Sequence, residues 1–351
     1  MLYPLKFKPV YKDYIWGGRD FLKFGKKLPD GIIAESWEIS CHPDGPSIIA
    51  NGSYKGTFFS EYLKKYKHLV SGTVLPLKDI ETFPLLLKFI DANKSLSVQV
   101  HPNDKYALEN EGEYGKNEAW YILSAKPGAT LIYDVKSGTT RDSFFNAIKN
   151  NKIESTLNYI KVTEGDLINI PTGLIHAIGE GIMLVEIQQN SNSTYRVYDF
   201  NRVGKNGKPR PLHIKKALDV IDFKNAGRKE RYRGLTIEND GNCTTILIAN
   251  QYFAIVKINT TDSFSENADG KRFYMYSVLK GNGEILYNNK SIDIKMGESI
   301  FIPASMGKYT FTGSLELLKS FVPDIKAQII TPLLKQGYSI ENIKNNVAGI
   351  S

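Results

Sequence analysis

The 351-residue chain contains little cysteine and no long hydrophobic run. Its two cysteines, Cys41 and Cys243, are too few for a disulfide framework, which predicts a reducing compartment, the cytoplasm. The apolar segment 83–90 is interrupted by Lys88, so no segment approaches the ~20 residues that span a bilayer. The first residues lack a continuous apolar stretch, so we expect no secretory signal. These absences exclude membrane-spanning proteins and small disulfide-rich secreted proteins.

Nucleic-acid-binding motifs are also missing, although the net charge is +8, from 45 Lys and Arg against 37 Asp and Glu. A basic chain can suit an anionic partner such as a phosphorylated metabolite. The basic residues are scattered, however, and their densest cluster, at 227–234, includes a glutamate. We interpret the charge as that of a solubilising surface and expect neither a nucleic acid nor a membrane as a partner.

The chain is rich in strand signals. Hydrophobic residues make up 42% and charged residues 23%, enough apolar material for a sizeable core, and the length suggests two domains. Short runs of β-branched and aromatic residues alternate with turns rich in Gly, Pro, Asn and Asp, which predicts a β-sandwich or β-barrel. Helical patterns at 60–70 and 140–160 predict small helical insertions in this scaffold.

A weak internal repeat organises the chain. Residues 165–176 read GDLINIPTGLIH, and residues 297–308 read GESIFIPASMGK, at an offset of 132 (297 − 165). We interpret them as two copies of one β-barrel unit, joined near 225–240, in preference to a coincidence between two similar strands. Lys308 stands where the first copy has His176, so we expect the second barrel to be metal-free and structural.

Histidine is scarce, with five in the chain, and two of them lie in notable patterns. Strand alternation places Ser97, Gln99 and His101 on one face of a strand whose other face is apolar. Glu118 begins the next strong strand, and His176 ends the first copy of the repeat. Two imidazoles, a carboxylate and an amide oxygen suit zinc with an open position, or another divalent ion. The predicted metal ligands are therefore Gln99, His101, Glu118 and His176.

These paired elements resemble the two motifs of the cupin superfamily. The first motif begins with Gln-Val-His rather than His-x-His, and the acidic residue follows 17 positions after His101 (118 − 101). Both departures narrow the resemblance to the type I mannose-6-phosphate isomerases (phosphomannose isomerases), in particular their short bacterial form, over roughly residues 4–322. The residues that carry it are YIWGGRD at 14–20, ESWEIS at 35–40, the segments 83–104, 115–123 and 170–202, and PLHIKKA at 211–217.

The resemblance implies a mainly β fold of two cupin-type jelly-roll β-barrels. It implies a metal-dependent aldose–ketose isomerase that interconverts mannose 6-phosphate and fructose 6-phosphate through a cis-enediol. The family's zinc ligands carry onto the four residues named above, one zinc per chain, with other divalent ions left open. The partner implied is a phosphorylated hexose, and the protein would be a monomer or a homodimer.

The resemblance also implies substrate contacts. Ser97 and Lys116, each two residues before a metal ligand, would contact the phosphate. Lys88 would either be a second basic group near the site or extend to the surface. Arg196 follows His176 by 20 residues (196 − 176), where the family has an arginine that can stabilise an enediolate oxyanion. Its alternative role is a salt bridge to Asp199 or Glu186. For the proton-transfer base, Glu186 and a metal-bound water remain candidates.

We predict three segments: a catalytic cupin domain at 1–230, a second barrel at 231–322 and a helical extension at 323–351. His213 is interpreted as a capping or surface residue, and Trp16 as a packing residue. Two other functions stay open at this point, a non-catalytic regulatory cupin that binds sugar phosphates and an iron cupin oxygenase. Retention of the whole ligand set with Arg196 argues against the first, and a glutamine in place of the first motif histidine argues against the second.

Overall fold

Strands dominate the computed structural model, which describes residues 2–75, 83–204, 207–228, 230–239 and 241–350. The strands are β1 Leu5–Lys8, β2 Val10–Lys12, β3 Glu35–Ile39, β4 Ile48–Ile49, β5 Leu85–Ala92, β6 Val98–Val100, β7 Glu118–Ala125, β8 Thr130–Val135, β9 Leu157–Lys161, β10 Leu167–Ile170, β11 His176–Ile178, β12 Ile182–Gln189, β13 Tyr195–Tyr198, β14 Leu235–Asn239, β15 Asn242–Ala249, β16 Ala254–Thr260, β17 Ser263–Ala268, β18 Tyr274–Lys280, β19 Asn282–Tyr287, β20 Lys290–Lys295, β21 Ser299–Ile302, β22 Gly307–Thr312 and β23 Leu315–Phe321. The α-helices in the described ranges are α1 Phe59–Tyr66, α2 His68–Ser71, α3 Asp104–Asn110, α4 Arg141–Lys149, α5 Ile214–Val220, α6 Thr331–Lys335 and α7 Ile340–Asn346.

Two pairs of antiparallel sheets follow the same plan. In the first half, one sheet has the order β10-β7-β12-β5-β3-β2 and the other β13-β6-β11-β8-β9. In the second half, the orders are β21-β18-β23-β16-β15-β14, extended beyond β21 by β1 and β4 of the N-terminal segment, and β17-β22-β19-β20. Each strand of the second half thus has a counterpart in the first, which confirms the predicted repeat and the mainly β, cupin-type fold.

The register of this duplication corrects one expectation. His176 of β11 pairs with Gln99 of β6, and Tyr309 of β22 pairs with Glu266 of the corresponding strand β17. Tyr309 is buried like His176, whereas Lys308 is exposed. The counterpart of His176 is therefore Tyr309, and the prediction that Lys308 takes this place is wrong. Relative to the sequence alignment of the two repeats, the side chain that points into the second barrel comes one residue later, at 309 instead of 308.

The two large sheets pack against each other through one apolar face each. Odd-numbered residues of β5, β7 and β12, among them Leu87, Tyr121 and Val185, share a core cluster with Phe301 and other residues of the second half. Because side chains alternate along a strand, the even-numbered residues of these strands point the other way, into the first barrel. This parity decides which side chains can form a site.

The N-terminal segment belongs to both halves. Strand β1 pairs with β21 of the second half, Leu5 opposite Phe301, whereas β2 pairs with β3 of the first. The division of the chain at residue 230 therefore remains a prediction. The extension after residue 323 is helical and packs Ile329, Leu333 and Ile343 against the second barrel.

The helical pattern at 140–160 is correct only in part. Helix α4 begins with a capping box in which Thr140 accepts the amide hydrogen of Ser143. It ends before Asn151, whose positive φ of 54° stops the helix, and a single 3₁₀ turn, Ile153–Thr156, follows. Residues 157–160 belong to β9, which pairs with β8, so the tertiary pairing overrides the local pattern there. No helix in the described part of the chain is long and apolar enough to cross a membrane.

Candidate functional site

A cleft of about 360 Å³ opens into the first barrel. Its wall includes even-numbered residues of the three central strands, Lys88 of β5, Trp120 of β7 and Glu186 of β12. The cleft is lined by Tyr14, Trp16, Glu35, Lys88, Ile90, Leu96, Ser97, Gln99, Lys116, Trp120, Ile178, Glu186, Asn192, Thr194, Arg196, Arg210 and His213. Six of the predicted site residues are in this set, and the other three lie beside Lys116 and Gln99.

Those three residues, His101, Glu118 and His176, form a buried group whose ligand atoms all lie within 4.8 Å of one another. Nε2 of His101 is 3.4 Å from Glu118 Oε2, and Nε2 of His176 is 3.4 Å from Glu118 Oε1. Within the described residues, Oε1 of Glu118 accepts no hydrogen bond although it is fully buried. A buried carboxylate oxygen without a donor is costly unless a cation completes it, so this group could hold a metal ion.

Each histidine is held in the tautomer that a metal ligand needs. Nδ1 of His101 donates to the carbonyl of Ser193 at 2.8 Å, and Nδ1 of His176 donates to the carbonyl of Leu174 at 2.9 Å. The lone pair of each ring is therefore on Nε2, the atom that faces Glu118. Burial lowers the pKa of His176 to about 3, and burial together with the Lys116 ammonium lowers that of His101. Both rings are neutral near neutral pH.

Gln99 is adjacent to this group. Its amide nitrogen is 3.4 Å from His176 Nε2, and its amide oxygen accepts from Ser97 at 3.5 Å. Turning the amide by half a revolution exchanges the two atoms and would bring the oxygen towards the histidine. Gln99 is thus within reach of the group, as strand parity predicts.

Lys116 lies against the metal-ligating group. Its Nζ donates to Glu118 Oε2 at 2.6 Å and is 3.2 Å from His101 Nε2. Burial alone would raise the pKa of Glu118, but the Lys116 ammonium holds it well below its usual value. The carboxylate therefore stays ionised, as a metal ligand must.

A row of alternating charges continues from Lys116 along the cleft wall. Glu186 Oε1 is 3.9 Å from Lys116 Nζ and 3.2 Å from Lys88 Nζ, and its Oε2 accepts from the Trp120 indole at 2.9 Å. Lys88 is 3.8 Å from Glu35, so it does not extend to the surface. Two ammonium groups and an indole therefore position the Glu186 carboxylate inside the cleft.

Arg196 lies at the opposite wall, next to Ser97. Its Nε donates to Ser97 Oγ at 3.0 Å, and one terminal nitrogen donates to the carbonyl of Pro211 at 3.0 Å. Asp199 pairs instead with Arg210, at 2.8 and 2.5 Å, and with Arg202. Glu186 pairs with the two lysines, so among the described residues Arg196 forms neither of the salt bridges that were its alternative role.

Sequence reasoning missed several residues of the cleft. His213, expected as a capping or surface residue, makes no capping hydrogen bond and lines the cleft, with its Nδ1 3.3 Å from the Arg196 amide. Trp16 and Arg210 line it as well. These side chains come from loops, so no strand parity could have indicated them.

The second barrel has an ion pair at the corresponding positions. Lys319 of β23 pairs in register with Tyr276, as Glu186 of β12 does with Trp120. Its ammonium contacts Glu266, which also accepts from Tyr309 at 2.9 Å. The polar interior of the repeat is thus kept in both copies, with imidazoles in one and with tyrosines and a lysine in the other.

Comparison with known proteins identifies the family. Residues 4–123 match the family model described as phosphomannose isomerase type I, catalytic domain, and residues 242–322 that described as mannose-6-phosphate isomerase, cupin domain. The mannose-6-phosphate isomerase ManA of Bacillus subtilis is 37% identical over 318 residues, 90% of this chain and 98% of that protein. The mannose-6-phosphate isomerase of Streptococcus mutans is 36% identical over 321 residues, 91% of this chain and 98% of that protein.

A solved structure agrees with the sequence comparison. The crystal structure of a mannose 6-phosphate isomerase from Bacillus subtilis superposes with a TM-score of 0.83 at 35% identity. The superposition covers 90% of this chain and 99% of that one. Fold, sequence and the predicted motifs therefore lead to one conclusion: the chain belongs to the type I phosphomannose isomerase family.

Proposed function

We propose that this protein is a metal-dependent isomerase that interconverts mannose 6-phosphate and fructose 6-phosphate through a cis-enediol. The observation that carries the proposal is one cleft that joins a buried His-Glu-His group to a carboxylate placed between two ammonium groups. The relatives named above support the choice of substrate. All the proposed side chains come from one chain, so we propose that catalysis needs no second subunit, whether the protein is a monomer or a homodimer. Because both cysteines are free, we also propose a cytoplasmic location.

The proposed ligands fit a divalent ion, since they combine two neutral imidazoles, an ionised carboxylate and an amide. We propose zinc, held by His101, Glu118, His176 and Gln99. When bound, the ion would supply a Lewis acid that polarises the sugar oxygens.

We assign the proton transfer to Glu186. The isomerisation removes the proton from C2 of the aldose, passes through the enediol and returns a proton to C1, while the O2 proton moves to O1. One carboxylate on one face of the sugar can serve both carbons because they are adjacent. The Trp120 indole occupies Oε2 of Glu186, which leaves Oε1, the atom beside Lys88 and Lys116, to take and return the proton.

The remaining charged residues bind the substrate and its transition state. Arg196 is positioned to stabilise the negative charge that develops on the enediolate oxygens. Ser97 accepts from Arg196, and its hydroxyl hydrogen, which makes only a long 3.5 Å contact with Gln99 Oε1, can turn to donate to a phosphate oxygen. We propose Ser97 and Lys116 as phosphate contacts and Lys88 as a further basic group of the substrate site.

A coupled assay for fructose 6-phosphate formation from mannose 6-phosphate tests the function. We expect turnover, its loss on chelation, and its return with added zinc, while far-UV circular dichroism stays unchanged because both barrels keep their apolar cores. The control is a His101→Ala, His176→Ala double variant, which should be inactive and metal-poor. Binding of the sugar phosphate without turnover would favour a regulatory protein, and oxygen uptake by an iron-loaded sample would favour an oxygenase.

A further inference from the structure

We propose that Glu113, together with His42, positions the metal ligand His101 by fixing the carbonyl group of Ser193. This inference rests on the metal site proposed above. Glu113 lies after helix α3, outside the cleft lining, and none of the roles assigned so far involves it. It acts through contacts that run from the surface to the buried imidazole.

The first link joins Ser193 to the metal ligand. The carbonyl of Ser193 accepts the Nδ1 hydrogen of His101 at 2.8 Å, and this bond directs Nε2 towards Glu118. Ser193 lies in the loop between β12 and β13, the strands that carry Glu186 and Arg196. A shift of this loop would therefore change the orientation of the imidazole. Partners of a ligating histidine of this kind tune metal affinity.

The second link joins the loop to Glu113. The Ser193 hydroxyl donates to Glu113 Oε1, and the Asn192 amide donates to Oε2 at 3.4 Å. Burial would raise the pKa of the Glu113 carboxyl, but hydrogen bonds from His42 and Ser193 hold it below its usual value. The ionised carboxylate thus accepts from two consecutive residues of the loop, which fixes the position of Ser193 and therefore of the carbonyl that Ser193 presents to His101.

The third link joins Glu113 to His42. The Asp44 amide donates to His42 Nδ1 at 3.1 Å, so the neutral ring carries its hydrogen on Nε2, which is 3.3 Å from Glu113 Oε2. Asn192 also donates to Asp44 at 2.7 Å. Three segments distant in sequence therefore meet at the Glu113 carboxylate. Through it, the His42 segment contacts the loop of Asn192 and Ser193, and the Ser193 carbonyl orients His101.

The test measures metal affinity in variants that break the second link from either end. Glu113→Ala removes the acceptor, and Ser193→Ala removes the hydroxyl while keeping the carbonyl that His101 needs. Each should weaken zinc binding about 10-fold in chelator competition, in the range of outer partners of metal ligands. Glu113→Gln keeps one acceptor oxygen and should lose less. The control is Glu109→Ala, which removes an exposed charge from the preceding helix α3 and should leave zinc affinity unchanged.

Two further readouts separate positioning from a general structural role. The visible spectrum of the cobalt-substituted protein should change in both variants, because this spectrum reports the ligand geometry directly. The melting temperature of the metal-free protein should stay at the wild-type value in both variants, even though their zinc affinity is lower. The Glu113→Ala, Ser193→Ala double variant should bind zinc no more weakly than the weaker single variant, because both act on one link.

Three results would overturn the inference. Unchanged zinc affinity and cobalt spectra in both single variants would show that Glu113 has no effect on His101. A lower melting temperature with unchanged affinity would assign it a structural role only. Failure of the wild-type protein to bind zinc would instead refute the metal site itself, and with it the proposed function.

Discussion

Removing the Lys88 ammonium should destabilise the first barrel strongly. Lys88 and Glu186 are 3% exposed each and 3.2 Å apart, on neighbouring strands in direct register. Lys88→Met keeps the length of the side chain but leaves a buried carboxylate with less compensation. Breaking such a pair costs about 3–5 kcal/mol. Because Glu186 retains the Trp120 indole and Lys116, we expect the lower end, about 3 kcal/mol.

The pairing can be isolated with a second substitution. Glu186→Gln removes the charge but keeps an oxygen that can accept from Trp120. Lys88→Met, Glu186→Gln should therefore be more stable than Lys88→Met alone, by about 1–2 kcal/mol, because it removes the Glu186 charge that Lys88→Met leaves without its partner, while Glu35 loses Lys88 equally in both variants. Urea denaturation of the metal-free proteins, followed by tryptophan fluorescence, measures this. All three tryptophans, Trp16, Trp37 and Trp120, lie in the first barrel or its N-terminal segment, so the signal reports this half of the chain.

The control is Lys64→Met, which removes an exposed lysine of α1 and should change the free energy of unfolding by less than about 0.5 kcal/mol. The reasoning is refuted if Lys88→Met costs less than about 1 kcal/mol, well under the expected penalty. It is also refuted if the effects of the two substitutions simply add, since two groups in contact must be coupled.

Three more predictions concern single residues. Arg196→Ala should lower kcat about 100- to 1000-fold with little change in KM, because the charge it meets develops mainly in the transition state; a rise in KM alone, by steady-state kinetics, would make it a substrate clamp. Lys116→Met should raise KM and also tighten zinc binding, on the order of 10-fold in chelator competition, because its ammonium lies 2.6 Å from Glu118 and repels a cation there; unchanged affinity would contradict this. Asp91 accepts from the Asp20 amide at 2.8 Å, and burial raises the pKa of the Asp91 carboxyl to about 6. The stabilisation that the protonated carboxyl gives is therefore complete below about pH 4 and is lost as the pH rises through 6. The stability of wild type relative to Asp91→Asn should therefore fall by up to about 2 kcal/mol between about pH 4 and pH 7 in urea denaturation, after allowance for solvent screening, and a pH-independent difference would count against it.

Sequence reasoning succeeds here where the local periodicity of a strand determines the direction in which a side chain points. The alternation of 97, 99 and 101 places Gln99 and His101 beside His176, as the structure has it. Sequence reasoning fails where the direction of a side chain depends on contacts between segments that are distant in sequence. Lys308 is one residue out of register, and His213 enters the cleft because its loop packs against Arg196. The Glu113 network could not be foreseen either, since its three segments are contiguous only after folding.

The pairing of β1 with β21 has a consequence for the autonomy of the two halves. A chain cut at residue 230 would separate Leu5–Lys8 from Ser299–Ile302, and both residues of the Leu5–Phe301 pair are fully buried. The C-terminal piece would then present an apolar strand edge to solvent, the kind of edge that associates with other chains. The N-terminal piece would keep β1 paired only with the two-residue strand β4. Although the halves repeat one architecture, the edge of the second large sheet is therefore covered by a strand from the beginning of the chain.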